Sequence, residues 1–271
     1  MEPWELDFYR CPLVGAAGQR LWELLVCTAS GRMLLSRFCE AKEATTDWLT
    51  AQLAALVTRE GGPPLEIGSF RTATYNLALP ACRELGIPLR HSRRTIAVLR
   101  QRAERERNIY PQRPDYRPLP AAVALQKAVP EPFPDELLAD SWGFSALPGS
   151  EIAQLHQLPI SYLEAPLIAI DAPVPGVFLF SATRARAIAG WLSVHEPVSL
   201  QYTRSQIDGI VLETGLDERW ILATFNDPEM RRRGEQFQER LQQSTGLHFL
   251  AVRPEQSGHE ITGFWLLQTP L

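Results

Sequence analysis

Lysine is nearly missing from this chain: two residues against 25 arginines in a total of 271. That bias fits a GC-rich genome as readily as phosphate recognition. Cysteine is also sparse. The four thiols, Cys11, Cys27, Cys39 and Cys82, include no C-x-x-C pair and sit among apolar neighbours, which predicts buried free thiols rather than a disulfide or zinc framework. The five histidines show no H-x-x-x-H spacing. No apolar run approaches the ~20 residues needed to span a bilayer. The N-terminus has neither a basic leader with an apolar core nor an Arg/Ser-rich, acid-poor transit pattern, so a cytoplasmic protein is expected. There is no G-x-G-x-x-G, no P-loop and no G-x-S-x-G elbow. No cofactor, metal site or catalytic residue is therefore assigned.

What is present is a charge split. Residues 1–113 carry 16 basic and 12 acidic side chains, residues 114–135 carry 2 and 3, and residues 136–271 carry 9 and 16. The first part is net positive and the last net negative, so a polyanion would dock on the N-terminal half.

Element order follows from periodicity. Trp4 to Arg10, Leu21 to Cys27 and Met33 to Cys39 read as an antiparallel meander of three strands. A helix follows from Thr45 or Thr46 to about Arg59, with Trp48, Leu49, Leu53, Leu56 and Val57 on one stripe. Next come a strand at Leu65–Phe70, a helix at about 72–85 kinked or delayed by Pro80, a strand at Ile87–His91, and a helix from Thr95 to about Asn108. Ile96, Leu99 and Ala103 are expected to face inward on that last helix. The succession β-β-β-α-β-α-β-α is that of ribonuclease H-like folds with a mixed five-stranded sheet, an analogy of element order alone. Seven prolines between 111 and 134 predict an extended linker. The remainder reads as a second α/β domain with a mixed sheet. It has strands near 142–147, 166–170, 177–180, 198–202, 209–213, 219–225, 247–252 and 262–267, and helices near 149–157, 182–193 and 228–244. The expected division is thus a basic domain at 1–112, a linker at 113–135 and an acidic domain at 136–271.

The strongest chemical feature is an arginine run, ten Arg against three Glu between residues 71 and 113. Arg71 opens one helix. Arg90 lies on a strand beside His91. Arg93, Arg100 and Arg107 are spaced by seven and would share a helical face if the helix reaches back to 93. Arg94 starts that helix. Arginine suits phosphate because its fork donates two parallel hydrogen bonds. Tyr75 and Tyr110 lie nearby and are candidates for stacking on unpaired bases. A salt-laced solvent face is an equal alternative, since Glu104 and Glu106 lie i+4 from Arg100 and Arg102. Arg231, Arg232 and Arg233 read as a solvated face. A metal-dependent nuclease using Glu5 and Asp7 is a further alternative. Its carboxylate set is incomplete, because the fourth strand ends Gly68-Ser69-Phe70 with no acid.

Several blocks resemble one family. They are Trp4-Glu-Leu-Asp-Phe-Tyr-Arg10, Leu21-Trp-Glu-Leu24, Arg71, Ala81-Cys82, Leu85-Gly-Ile87, Ser92-Arg-Arg-Thr95 and Tyr110-Pro111 in the first half. In the second half they are Trp191-Leu192, Glu213-Thr-Gly-Leu216, Arg219-Trp-Ile-Leu-Ala-Thr224, Gly246-Leu-His-Phe-Leu-Ala-Val252 and Gly263-Phe-Trp-Leu-Leu267. Together they are similar to the photosynthetic translation activators called Tab/Atab, over nearly the whole chain. The resemblance implies a non-catalytic RNA-binding protein of cyanobacteria or chloroplasts. Algal and plant members bind the 5′ untranslated region of a photosystem I reaction-centre message. The expected partners are single-stranded, A/U-rich leader RNA and translation machinery. A start directly at the first motif implies a cyanobacterial member. A protein-only photosystem assembly factor is the remaining alternative.

Overall fold

The computed structural model describes residues 2–118, 128–155, 161–163, 172–257 and 260–269. The chain divides into two compact units, 1–126 and 127–271.

In the N-terminal unit the alternating pattern forms the expected meander of β1 (Trp4–Val14), β2 (Arg20–Thr28) and β3 (Met33–Glu40). Then follow α1 (Thr46–Arg59), β4 (Ile67–Ser69), α2 (Thr72–Glu84), β5 (Leu89–His91) and α3 (Ile96–Glu104). The sheet order is β3-β2-β1-β4-β5, with β4 parallel to β1 and to β5. Thr45 caps α1 by accepting from Trp48 N–H, and Leu49, Leu53 and Leu56 are buried. They pack with α2 on the sheet face that carries Trp4, Leu6 and Phe8. α2 runs from Thr72 straight through Pro80, so the proline does not delay the helix start.

The last helix departs from the expected register. Ile96, Ala97 and Val98 are buried, whereas Leu99 and Ala103 are half-exposed. After Glu104 the chain widens into a π-helical turn, Arg105–Ile109, then tightens into a 3₁₀ turn, Tyr110–Gln112. The cause lies on the facing strands. Acids on β1 and β2 attract Arg102 and Arg105 to the inner face, and the extra residue of the π turn swings Tyr110 in with them. An apolar-stripe rule cannot anticipate a helix whose inner face is cationic.

The proline-rich segment begins laid against the first strand of the N-terminal sheet. Tyr116 bridges to Leu13, Val14 N–H donates to Asp115 O (3.0 Å), and Arg117 N–H donates to Pro12 O (2.8 Å). At its far end Glu131–Pro132 forms a short strand, β6.

Among the described residues the C-terminal unit forms two sheets where the sequence reading expected one. Its further elements are β7 (Ser141–Leu147), α4 (Gly149–Leu155), β8 (Ser161–Leu163), β9 (Val174–Phe180), α5 (Ala185–His195), β10 (Pro197–Thr203), β11 (Asp208–Thr214), β12 (Glu218–Phe225), α6 (Pro228–Gln243), β13 (Leu247–Arg253) and β14 (Gly263–Gln268). One sheet is mixed, ordered β7-β9-β13-β14-β8. The other is β10-β11-β12-β6, an antiparallel meander edged by parallel β6. The strands of both sheets carry apolar residues, and that content does not say which of two layers a strand joins. A core of Val177, Ile188, Leu200, Leu212, Phe237 and Trp265 draws on both sheets and on α5 and α6. The strand expected at 166–170 lies outside the described residues. All four cysteines are free and buried, as their apolar surroundings imply.

His248 is a buried hinge between the two sheets. Its Nε2 accepts Leu200 N–H and its Nδ1 faces Gly246 O, both at 2.9 Å, so the neutral ring with hydrogen on Nδ1 fits. Complete burial lowers its pKa from 6.5 to about 4. As pH falls through this window the unfolded chain takes up a proton that the fold refuses. The contribution to stability is full above pH 6.5 and is lost toward pH 4. Denaturation of the wild type across this range is expected to show that decline, and His248→Asn to flatten it.

Candidate nucleic-acid interface

The parallel strands set the geometry. β1 and β4 lie side by side, but their chains leave toward opposite halves of the sheet, β1 to β2 and β4 to β5. Crevices outside the carboxyl ends of parallel strands at such a reversal are the usual ligand position in open α/β sheets. Here β4 ends at Ser69 and β5 at His91. The segments that follow, Phe70–Arg71 and Ser92–Thr95, therefore emerge at the same edge, because Ser69 and His91 are register partners.

Arg71 sits at the N-cap of α2. Its Nε and Nη2 donate to the two oxygens of Asp7, each at 3.0 Å. Arg102 reaches the same carboxylate at 3.5 Å and pairs with Glu106 at 2.9 Å. Both guanidiniums lie over the Tyr9 ring, at 5.2 and 4.6 Å from its centroid. Asp7 is thus a buried anchor that aims two cations. The half-exposed Tyr75 stacks on His91, centroids 4.5 Å apart, and His91 Nε2 is 2.8 Å from Phe70 O. That contact ties the start of α2 to the end of β5.

Arg93 and Arg94 form the turn into α3 and are half-exposed. Each engages a neighbour in the chain, as does Arg100. Ser92 shapes the turn by accepting Arg94 N–H (3.1 Å). Thr95 occupies the cap position, but its hydroxyl does not cap. Glu5 does so instead: its Oε2 accepts Val98 N–H at 2.8 Å. Burial raises the Glu5 pKa to about 8, against the opposing pull of the Val98 and Ala97 N–H groups and the charges of Arg90 and Arg100. The arginine turn is therefore fixed by an acid 88 positions away from it on β1.

Of the residues singled out from sequence, Arg71, Tyr75, Arg93 and Arg94 come together at this edge. Arg90 is drawn to Glu66 (3.0 Å). Arg100 lies on α3, where burial lowers its pKa and the Glu5 charge acts the other way. The spacing of seven does not make a stripe, because α3 begins only at Ile96 and Arg107 belongs to the π turn. Tyr110 is 0% exposed. Its hydroxyl bonds to Glu23 and Tyr9 beneath the helix, so in this conformation it offers no face to a base. His91, Arg102 and Asp7 complete the site. The sequence placed His91 beside the run but gave it no role, and Asp7 entered only in the alternative, incomplete nuclease set, not as an arginine clamp.

No helix among the described residues is long and apolar enough to cross a membrane.

Comparison with known proteins covers both units. A family profile described as RNA-binding protein Tab2/Atab2 N terminal matches residues 3–105, and one described as RNA-binding protein Tab2/Atab2, C-terminal domain, matches residues 120–268. A chloroplastic TAB2 homolog of Arabidopsis thaliana is 27% identical, covering 98% of this chain and 74% of its own length. One of Zea mays is 28% identical, covering 97% and 70%. A simian T-cell lymphotropic virus intasome in complex with a PP2A regulatory subunit overlaps 84% of this chain and 82% of its own, at 11% identity. Its TM-score of 0.26 supports no comparison of folds. With both of its units matched in order, the chain belongs to the Tab2/Atab2 family of RNA-binding proteins.

Proposed function

We propose that this protein is a non-catalytic, cytoplasmic RNA-binding factor of a cyanobacterium that supports translation of photosystem I reaction-centre messages. Its N-terminal unit takes single-stranded, A/U-rich leader RNA at the carboxyl edge of β4 and β5. The observation that carries this is the emergence of Arg71, Arg93 and Arg94 with the Tyr75–His91 stack at the carboxyl edge of β4 and β5, next to the β1–β4 reversal, in a chain of an RNA-binding family. Arginine forks meet phosphates and a half-exposed aromatic pair meets an unstacked base. The order β3-β2-β1-β4-β5 is the one expected of a ribonuclease H-like sheet, which supports that scaffold for residues 1–112. The acidic domain, 136–271 beyond the proline-rich linker, would face translation machinery.

The nuclease reading is weaker on the geometry of Asp7. Two-metal hydrolysis needs carboxylate oxygens open to cations. Both oxygens of Asp7 are held by Arg71, with Arg102 behind, and Glu5 is spent on the helix terminus. Labelled RNA incubated with Mg²⁺ or Mn²⁺ is expected to stay intact. Cleavage abolished by Asp7→Asn would instead establish an enzyme. Crosslinking in cells with sequencing of the attached RNA is expected to recover photosystem I reaction-centre leaders. Partners captured equally well after ribonuclease treatment, with no RNA recovered, would replace this reading by a protein-only assembly factor.

A further inference from the structure

The C-terminal unit carries a cavity of about 190 Å³ between α6 and β7, lined by Phe144, Ser145, Arg233, Gln236, Phe237 and Arg240. Positions 233, 236, 237 and 240 follow the i, i+3, i+4, i+7 rule, so one face of α6 supplies four of the six. Opposite lies β7, at one edge of its sheet among the described residues. Phe237 is buried and forms the floor, while Phe144 is half-exposed. Phe144 belongs to an aromatic group with Trp142 (5.4 Å), Phe225 (6.1 Å) and Phe237 (5.7 Å), which braces its ring while leaving part of it open.

The arginines divide by task. Arg231 is occupied by Asp208 at 2.7 Å, part of a cluster with Tyr202. Arg233 gives one nitrogen to Glu229 at 2.6 Å and keeps the rest of its fork. Arg240 is half-buried on the cavity wall and makes no ion pair among the described residues. A half-buried guanidinium beside an aromatic ring, with Gln and Ser donors and acceptors at hand, matches the needs of one chemical class: a flat heteroaromatic base bearing a phosphate. The space is below the roughly 300 Å³ at which drug-sized pockets begin, which suits a fragment as small as a single base. The net negative charge of residues 136–271 excludes a broad electrostatic platform and leaves a local site.

We propose that this cleft is a second RNA contact, one that receives a single unpaired nucleotide with its base on Phe144, its phosphate on Arg240 and Arg233, and its base edge on Gln236 and Ser145. It rests on the reading of the chain as an RNA-binding protein, but uses none of the residues of the N-terminal edge.

The full chain is to be titrated with a short single-stranded A/U RNA carrying 4-thiouridine, and the photo-adduct located by peptide mass spectrometry. An adduct within residues 141–147 is expected. Arg240→Ala is expected to weaken binding at least threefold and to lower the salt slope by about 0.7, the value of one single-strand phosphate contact. Phe144→Leu keeps an apolar side chain against Phe237 and is expected to lose the adduct while the protein stays folded. Should the wild type bind the RNA with no adduct in 141–147 and unchanged affinity in Arg240→Ala, the cleft is overturned and the N-terminal reading stands. Should the wild type bind no RNA, both fail.

Discussion

Replacing Arg93 and Arg94 together with alanine is expected to weaken binding of single-stranded A/U-rich RNA by well over tenfold. Both side chains sit in the turn between β5 and α3, half-exposed, at the carboxyl edge where Arg71 and the Tyr75–His91 pair also emerge. Each phosphate neutralised on a single strand contributes about 0.7 to the slope of log affinity against log salt. Two lost contacts should therefore flatten that slope by about 1.4. Neither side chain is deeply buried, so denaturation midpoints should move little. A matched control removes Arg37 and Arg83, which are exposed elsewhere on the same unit. It takes away the same charge and should cost far less affinity. Equal losses in the two double variants would mean that general charge, not this turn, holds the RNA. Unchanged affinity in a folded Arg93→Ala, Arg94→Ala protein would reject the site outright.

The largest stability effect is expected at Arg105. It is 8% exposed, and its Nε donates to Glu23 Oε1 at 2.9 Å, where Glu23 is 0% exposed. Ser36, Tyr9 and Tyr110 also donate to the Glu23 carboxylate, and burial and the charge of Glu23 hold the Tyr9 phenol protonated well beyond its ordinary range. Removing the guanidinium leaves a carboxylate in the core with no countercharge, a change that costs about 3–5 kcal/mol. Arg105→Ala should therefore lose that amount in urea denaturation. In a Glu23→Gln background, where no charge is stranded, the same substitution should lose markedly less, the difference being the coupling between the two residues. A loss under about 1 kcal/mol in the wild-type background is the value of a surface pair and would contradict the buried one described here.

These arginines show what the sequence can and cannot disclose. The strand meander, the capped helix α1 and the long amphipathic α6 were readable, because each is set by local periodicity and a cap. Thr45 caps where its side chain predicts, and Asp227 caps α6 by accepting from Glu229 and Met230 N–H. The family blocks and the basic edge were readable too. The inner face of the segment from the end of α3 through the π turn was not. Its polarity depends on Asp7 and Glu23, which lie some 80 to 95 positions earlier, and nothing local to residues 96–109 announces them. Tyr110 was misjudged for the same reason: an aromatic next to arginines looks like a base-stacking residue until the π turn carries it under the helix. The split of the second half into two sheets was equally hidden, since apolar residues occur on the strands of both layers.

The two clamps on the α3 segment have one more consequence. Glu5 holds its first turn through Val98 N–H, and Glu23 holds its far end through Arg105 and Tyr110. A segment fastened at both ends to the central strands cannot fray on its own. Amide exchange along Ala97–Val98 should follow opening of the whole sheet rather than local fluctuation. On the proposed reading, the guanidiniums at 93 and 94 would meet a phosphate backbone from a turn already set in shape, so little ordering entropy would be spent in binding.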